Sequence, residues 1–312
     1  MEHNSLKRIL VTGAQGFLGG HLVRQLRNEG VQVAALTRTS RPEPWYVPIG
    51  DVPWCHSRLT AIIRYFEPDV IFHLVGSAAG SPAQLRALNV EAAGTIMGAL
   101  RELAVRPKLV CCGSAAEYGV AVADQMPVTE TAQCRPVSAY GITKLEQTEA
   151  ALAFGTATGT PVLVARIFNP IGPGMPPYLA ISEFARQIAR INGPSGVLKT
   201  GNLNTVRDFL PVRQAVNAMV VLARNPAATG VVNICSGQPT ALRQLLDSLI
   251  TLSGKSITVE ISPDRLRTND IAAIVGCTKR LAALGAVPPP IDFDEVISEI
   301  WRDAQAQARG TS

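Results

Sequence analysis

The sequence predicts an α/β protein, a doubly wound parallel sheet carrying a smaller C-terminal lid. Three observations predict it. Short apolar runs of strand type alternate with stretches whose apolar residues recur at helical spacing, from Arg8 to Asn169. Most of those runs are continuously apolar, as expected of parallel strands covered on both faces. Beyond Asn169 the texture changes to the Pro- and Gly-rich "PIGPGMPPYLA".

The elements follow in order. "RILVTG" (8–13) reads as a strand ending in glycine, and "FLGGHLVRQLRNEG" (17–30) as a helix that stops at Gly30. "VQVAAL" (31–36) is a second buried strand. "TAIIRYFEPDVIFHLVG" gives a helix, a Pro-containing turn and a strand over 70–75. "ALNVEAAGTIMGALRELA" is a helix, "KLVCCGSA" a strand, "SAYGITKLEQTEAALAFGTATG" a helix and "PVLVARIFN" a further strand. Later come "VVNICSG", the helix "TALRQLLDSLITLSG", the strand "SITVEIS" and a final helix after "VPPPID". Residues 1–170 are expected to form the sheet domain, with the chain returning to it near 209–235. Residues 171–208 and 236–312 are expected to form the substrate-binding region.

Composition narrows the function classes. A chain of 312 residues allows one large domain or two closely joined ones. With 47% hydrophobic and 17% charged residues it builds a sizeable core, and long disorder is excluded. The net charge of +5 is not gathered into a Lys/Arg block, and aromatics are 5%. That balance favours a small anionic ligand and gives no nucleic-acid partner. Six scattered cysteines show no metal-type spacing, which points to a reducing, cytoplasmic setting and no metal. Neither a signal-peptide core nor an apolar run of ~20 residues is visible, so no membrane partner is expected.

"TGAQGFLGG" (12–20) joins the first strand to the first helix. Gly13 permits the tight turn, Gly16 lets the backbone approach a pyrophosphate, and Gly19 lets the helix pack on the sheet. The helix then opens with the N–H groups of Phe17, Leu18 and Gly19, a positive end suited to phosphates. This is a dinucleotide-binding (Rossmann) cradle. At the end of the second strand an Asp or Glu would accept the ribose hydroxyl of NAD. The sequence has "LTRTS" there, with no acid, while Arg38, aided by Arg41, suits a 2′-phosphate. NADP(H) is therefore the preferred cofactor and NAD(H) the second choice.

Tyr140 and Lys144 in "PVSAYGITK" stand four residues apart on a helix, a spacing that by itself describes one face of any helix. Their order after the glycine cradle, "FHLVG" and "CCGSAAEYG", and before "RIFNPIGPG", "VRDFLPV" and "NICSG", resembles the extended short-chain dehydrogenase/reductase family. That family holds nucleotide-sugar epimerases, dehydratases and reductases, and the resemblance spans nearly the whole chain.

The resemblance implies a catalytic group of Ser114, Tyr140 and Lys144. A carbonyl that gains hydride must also gain a proton, and a free phenol near pKa ~10 exchanges poorly at neutral pH. An ammonium at Lys144 would lower that pKa and hold the nicotinamide ribose, with Tyr140 also on the cofactor, and Ser114 would hydrogen-bond the carbonyl oxygen. It also places Asp51, Val52 and Leu74 on the cofactor, and Ser114, Ala115, Asn169, Arg207, Arg267 and Asp270 on the substrate. Asn89 would support the active-site backbone. His73 reads as a core residue. The helices around 85–104 and 140–158 would form the seam of a homodimer.

Family dehydratases carry an acid, and 3,5-epimerising reductases a cysteine, two residues after the catalytic Ser/Thr. Ala116 stands there. Glu117 follows, and on an extended segment it would point to the other face, as a structural carboxylate near Tyr118. Reduction of a 4-keto sugar, or 4-epimerisation with tightly held NAD, remains, and the missing acid after the second strand favours reduction. "FARQIARI", "GNLNTVRDF" and "DRLRTND" are similar to segments of the family's GDP-4-keto-6-deoxy-D-mannose reductases. An alternative of another class is an NADP-binding sensor, whose kind lacks the tyrosine or the lysine.

Overall fold

The computed structural model describes residues 6–103, 106–120, 125–266 and 271–309. The first strand, β1 (Arg8–Thr12), leads into α1 (Phe17–Asn28), then β2 (Gln32–Thr37) and β3 (Tyr46–Pro48). Next come α2 (His56–Phe66), β4 (Val70–His73), α3 (Pro82–Arg86), α4 (Ala92–Glu102) and β5 (Lys108–Ser114). α5 (Ala139–Thr158) and β6 (Val162–Ile167) complete the first part of the chain. The later elements are β7 (Pro170–Ile171), α6 (Ala180–Arg190), β8 (Ser195–Thr200), β9 (Val206–Asp208) and β10 (Leu210–Pro211). They continue with α7 (Val212–Arg224), β11 (Gly230–Ile234), β12 (Pro239–Ala241), α8 (Leu242–Ser253) and β13 (Ser256–Ile261). β14 (Ala273–Ile274), α9 (Lys279–Ala283) and α10 (Phe293–Arg309) end the chain.

The doubly wound arrangement is present. Seven parallel strands run in the order β11-β6-β5-β4-β1-β2-β3. Alternation along each strand feeds both faces. Ile9 and Val11 join Leu22 and Leu26 of α1 and Val216 and Met219 of α7 in one core. Leu10 joins Leu59 and Ile63 of α2, Ile96 and Leu100 of α4 and Phe154 of α5 in the other. Full burial of each such aliphatic contributes about 1.5–3 kcal/mol, which is why these runs need no polar alternation. The strand order reverses between β1 and β4, and the crevice beyond the C-terminal ends of those strands is where such sheets bind ligands.

Lys108 opens β5 and caps a helix on the neighbouring layer. Its Nζ donates to the carbonyls of Leu222 and Asn225, both at 2.7 Å, at the negative end of α7. Burial pushes its pKa down to about 8.

The C-terminal segments build a second core. α6, α8 and α10 pack Phe184, Ile188, Leu245, Leu249, Ile297, Ile300 and Trp301 together. β8 pairs in parallel with β13, and β9 lies between β12 and β14. All six cysteines are free thiols. Among the described residues no helix is long and apolar enough to cross a membrane.

β3, with Pro48 at the sheet edge, is a three-residue strand that the sequence reading did not include. Two local expectations are corrected. The helix expected over "ALNVEAAGTIMGALRELA" is not uniform, because Ala87–Glu91 forms a widened π turn before α4. After Ser114 the chain does not stay extended. Ala115–Glu117 turns as a 3₁₀ segment, with Ser114 and Glu117 closing a reciprocal cap.

Candidate active site

The glycine cradle is shaped by contacts that a side chain would destroy. Gly13 has φ +68°, and a Cβ there would lie 2.7 Å from the carbonyl carbon of Leu74. At Gly19 a Cβ would lie 2.1 Å from the Gly13 carbonyl oxygen. The Gly16 N–H donates to the Gly13 carbonyl at 2.9 Å, which closes the turn. Gly16 is also the N-cap of α1 and has no side chain to cap it, so the N–H groups of Phe17, Leu18 and Gly19 are left to an anion. The Phe17 ring packs edge-on against His21 at 5.8 Å, and Leu18 lies against the core, so both offer backbone rather than side chain to a ligand. Leu74 likewise meets the cradle through its backbone. This open, uncapped turn fits the pyrophosphate of a nicotinamide dinucleotide.

At the end of β2, Arg38 is exposed and 4.0 Å from the Asp51 carboxylate. A pair that open to water holds neither group firmly. Val52, next to Asp51, packs against the core under β2. With its amide turned so that Oε1 faces the guanidinium, Gln15 of the cradle accepts from Arg41 at 2.5 Å. Arg41 is thereby tied to the phosphate turn.

Ser114 ends β5 and Tyr140 opens α5. Ser138 caps α5, its Oγ accepting from the Gly141 N–H at 3.0 Å. A Cβ at Gly141 would lie 2.5 Å from the Ala116 carbonyl, so the helix start presses on the turn after Ser114. This closeness brings the Ser114 hydroxyl near enough to the Tyr140 phenol to bear on its ionisation. Asn89, in the π turn, ties the same region together. Its Oδ1 accepts from the Ser77 N–H at 2.9 Å, and its Nδ2 donates to the Ser77 carbonyl and to Thr143 Oγ1. α5 buries Thr143, Lys144, Gln147 and Thr148 along its length, polar groups that a helix made only for packing would not carry.

Lys144 is 2% exposed and donates to Gln147 Oε1. Other groups lead in setting the Tyr140 pKa. Tyr140 is pushed above the usual phenol range, first by burial and next by Cys112, with Ser114 opposing. Glu117 and Tyr178 also weigh on it, and Lys144 is not among these leading groups. Lys144 instead bears on His73, Cys111 and Cys112 at the strand ends. His73 is a core residue. Its Nδ1 meets Thr12 Oγ1 at 2.9 Å, and burial brings its pKa down to about 3.

Glu117 is fully buried and faces away from the cleft. Its Oε2 accepts from Arg166 Nε and Nη2 at 3.0 and 2.7 Å and from Thr148 at 3.0 Å. Its Oε1 accepts the Ser114 N–H at 2.7 Å. Arg166 in turn lies 4.5 Å over the Tyr118 ring. The carboxylate is structural, and what turns it inward is the 3₁₀ turn rather than strand alternation.

Ala115 is on the expected sugar side. Its side chain is buried with Tyr118, Val128 and Phe168, so only its backbone can meet a ligand. Asn169 Nδ2 donates to the Asp208 carbonyl at 3.0 Å. Arg207 Nη1 donates to the Val206 carbonyl at 3.0 Å. Arg267 and Asp270 lie outside the described residues. The sequence reading missed Asp208, whose carboxylate accepts from Ser236 N and Oγ, Gly237 N and Gly276 N at 2.6–3.1 Å. It knots together the segments around Asn169 and Arg207, and its only signal is adjacency to Arg207 in "VRDF". Gln147 and Tyr178 were missed as well.

The comparisons agree with this geometry. The chain is 28% identical to a GDP-6-deoxy-D-mannose reductase of Pseudomonas aeruginosa, over 97% of this chain and 99% of that protein. It is 27% identical to a dTDP-6-deoxy-L-talose 4-dehydrogenase (NAD(P)(+)) of Kitasatospora kifunensis, over 96% of each. The solved structure of RMD from Pseudomonas aeruginosa complexed with NADPH superposes with a TM-score of 0.84 at 26% identity, covering 97% of this chain and 98% of that one. The family model for "NAD dependent epimerase/dehydratase family" matches residues 9–235. On that match, and with a cradle and a Ser-Tyr-Lys group in the expected order, the chain belongs to the NAD dependent epimerase/dehydratase family, among the extended short-chain dehydrogenase/reductases.

Proposed function

We propose that the protein is a nucleotide-sugar oxidoreductase that reduces a nucleotide-linked 4-keto-6-deoxyhexose. The substrate is GDP-4-keto-6-deoxy-D-mannose and the product GDP-D-rhamnose or its talose epimer. The observation that carries the reading is the meeting of Ser114, at the C-terminal end of β5, with Tyr140 at the start of α5, and Lys144 one turn along that helix. The relatives named above support the substrate class.

When bound, the reduced nicotinamide supplies hydride to the carbonyl carbon. Tyr140 gives its phenolic proton to the carbonyl oxygen, which Ser114 holds by a hydrogen bond. The raised Tyr140 pKa keeps the phenol protonated before reaction, as an acid requires. The Lys144 charge favours the phenolate left behind. Gly13, Gly16, Phe17, Leu18 and Gly19 would hold the pyrophosphate with Leu74 beside them, Asp51 and Val52 would flank the adenine, and Arg38 would meet a 2′-phosphate. NADPH is therefore the preferred reductant. Asn169, Arg207, Arg267 and Asp270 hold the sugar diphosphate and nucleotide ribose, between the sheet edge and residues 171–208 and 236–312. Two copies pair through α4 and α5, where Ile142 is left 46% exposed.

The test is to supply GDP-4-keto-6-deoxy-D-mannose with NADPH and NADH in parallel and to type the sugar by NMR. Stoichiometric NADPH loss with a GDP-6-deoxyhexose product is expected. A changed sugar without net oxidation would replace the proposal with a 4-epimerase holding NAD.

A further inference from the structure

Tyr140, Lys144 and Gln147 follow one another at i, i+4 and i+7, so all three share one face of α5. Gln147 is 1% exposed. Its Oε1 accepts from the Lys144 ammonium, and its Nε2 is buried with no hydrogen-bond partner. A buried donor left unpaired destabilises a fold, and a leucine or methionine would fill the same space without that cost. Packing does not explain a glutamine here.

The surroundings of Lys144 explain it. A Cβ on Gly76 would stand 3.9 Å from Nζ and 2.8 Å from Asn89 Oδ1, so the ammonium sits against the end of β4. The side chain that receives its proton is a neutral amide. A carboxylate at this position would hold the ammonium equally well but would cancel its charge at the strand ends.

We propose that Gln147 is a positioning residue that fixes the Lys144 ammonium beside the β4 and β5 strand ends without neutralising it. This rests on the reductase reading for its catalytic consequence and on the hydrogen bond alone for its structural one. The groups facing the pair are Cys112, Glu117 and Tyr178 around Tyr140, and His73, Cys111 and Cys112 around Lys144. Burial pushes the thiols of Cys111 and Cys112 up and holds His73 neutral, so Lys144 carries the net charge among its own neighbours.

Two variants test it. Gln147→Glu neutralises Lys144. The phenolate left after proton transfer then loses that charge, and kcat for ketosugar reduction at pH 7 falls about tenfold. Gln147→Leu removes the tether and the orphan donor together, so it folds at least as well. Its KM for NADPH rises about tenfold as one charge-assisted hydrogen bond is lost. A readout without substrate is the Lys144 Nζ proton signal in ¹H–¹⁵N spectra of the cofactor-free enzyme. It is expected to be protected from exchange in the wild type and to be lost in Gln147→Leu.

An unchanged Nζ signal in Gln147→Leu, or a kcat of Gln147→Glu equal to the wild type at pH 7, overturns the proposal. Failure of the wild type to oxidise NADPH with the ketosugar would count against the reductase reading instead. The Nζ signal would still decide the role of Gln147.

Discussion

Glu117→Ala gives the sharpest account of why this site holds its shape. The carboxylate and the Arg166 guanidinium are 0% and 3% exposed, so neither is screened by water. Removing Glu117 strands a buried cation whose Nη1 already lacks a partner, and it frees the Ser114 N–H and Thr148 Oγ1. Breaking one side of such a pair costs about 3–5 kcal/mol. An unfolding entropy near 2.1 cal/mol/K per residue over 312 residues gives roughly 0.65 kcal/mol/K. The melting temperature should therefore fall by about 5–8 °C. Calorimetry of the cofactor-free protein at pH 7 measures it, and the double variant Glu117→Leu/Arg166→Met should recover most of the loss. A melting temperature within about 1 °C of wild type, combined with lost turnover, would refute the reasoning and make Glu117 a group that touches substrate.

Tyr140→Phe should lower kcat by about 10²–10⁴-fold with the Kd for NADPH unchanged, as fluorescence titration would show; normal turnover would remove Tyr140 from the mechanism. Gly19→Ala puts a Cβ 2.1 Å from the Gly13 carbonyl, so the cradle must shift, and NADPH binding should weaken at least tenfold; an unchanged Kd contradicts this. His73 stays neutral when folded, with a pKa of about 3 against 6.5 unfolded. Below pH 6.5 the unfolded chain takes a proton that the folded one does not, so stability falls, by about 2 kcal/mol at pH 5. Urea unfolding at pH 7 and pH 5 should show this pH-dependent loss in the wild type and less of it in His73→Gln; equal losses contradict it.

The parallel sheet was legible because its strands are buried on both faces and keep one texture. β1, β4, β5 and β6 have no polar alternation to confuse them, and each is followed by a turn or a helix start. The glycine cradle was legible because backbone-to-backbone approach leaves glycine as its only solution at positions 13 and 19. The course of the chain after Ser114 was not read, although "SAAE" has the spacing of a reciprocal cap; what fixes Glu117 inward is Arg166, 49 residues away. Distance also hid Asp208, whose partners come from Ser236, Gly237 and Gly276. Tyr178 lies in "MPPYLA", a stretch with no period to report which way its phenol turns, yet it weighs on Tyr140. Lys144 was readable as a residue but not as a direction, because helical spacing puts it within reach of both Tyr140 and Gln147, and the fold gives its ammonium to Gln147.

The most direct test of the central claim uses NADPH carrying deuterium at its transferable position with GDP-4-keto-6-deoxy-D-mannose. The account predicts one deuterium at C4 of the product, in a single configuration, with one NADPH consumed per sugar. A product free of deuterium, or NADPH left unconsumed while the sugar changes, would contradict it.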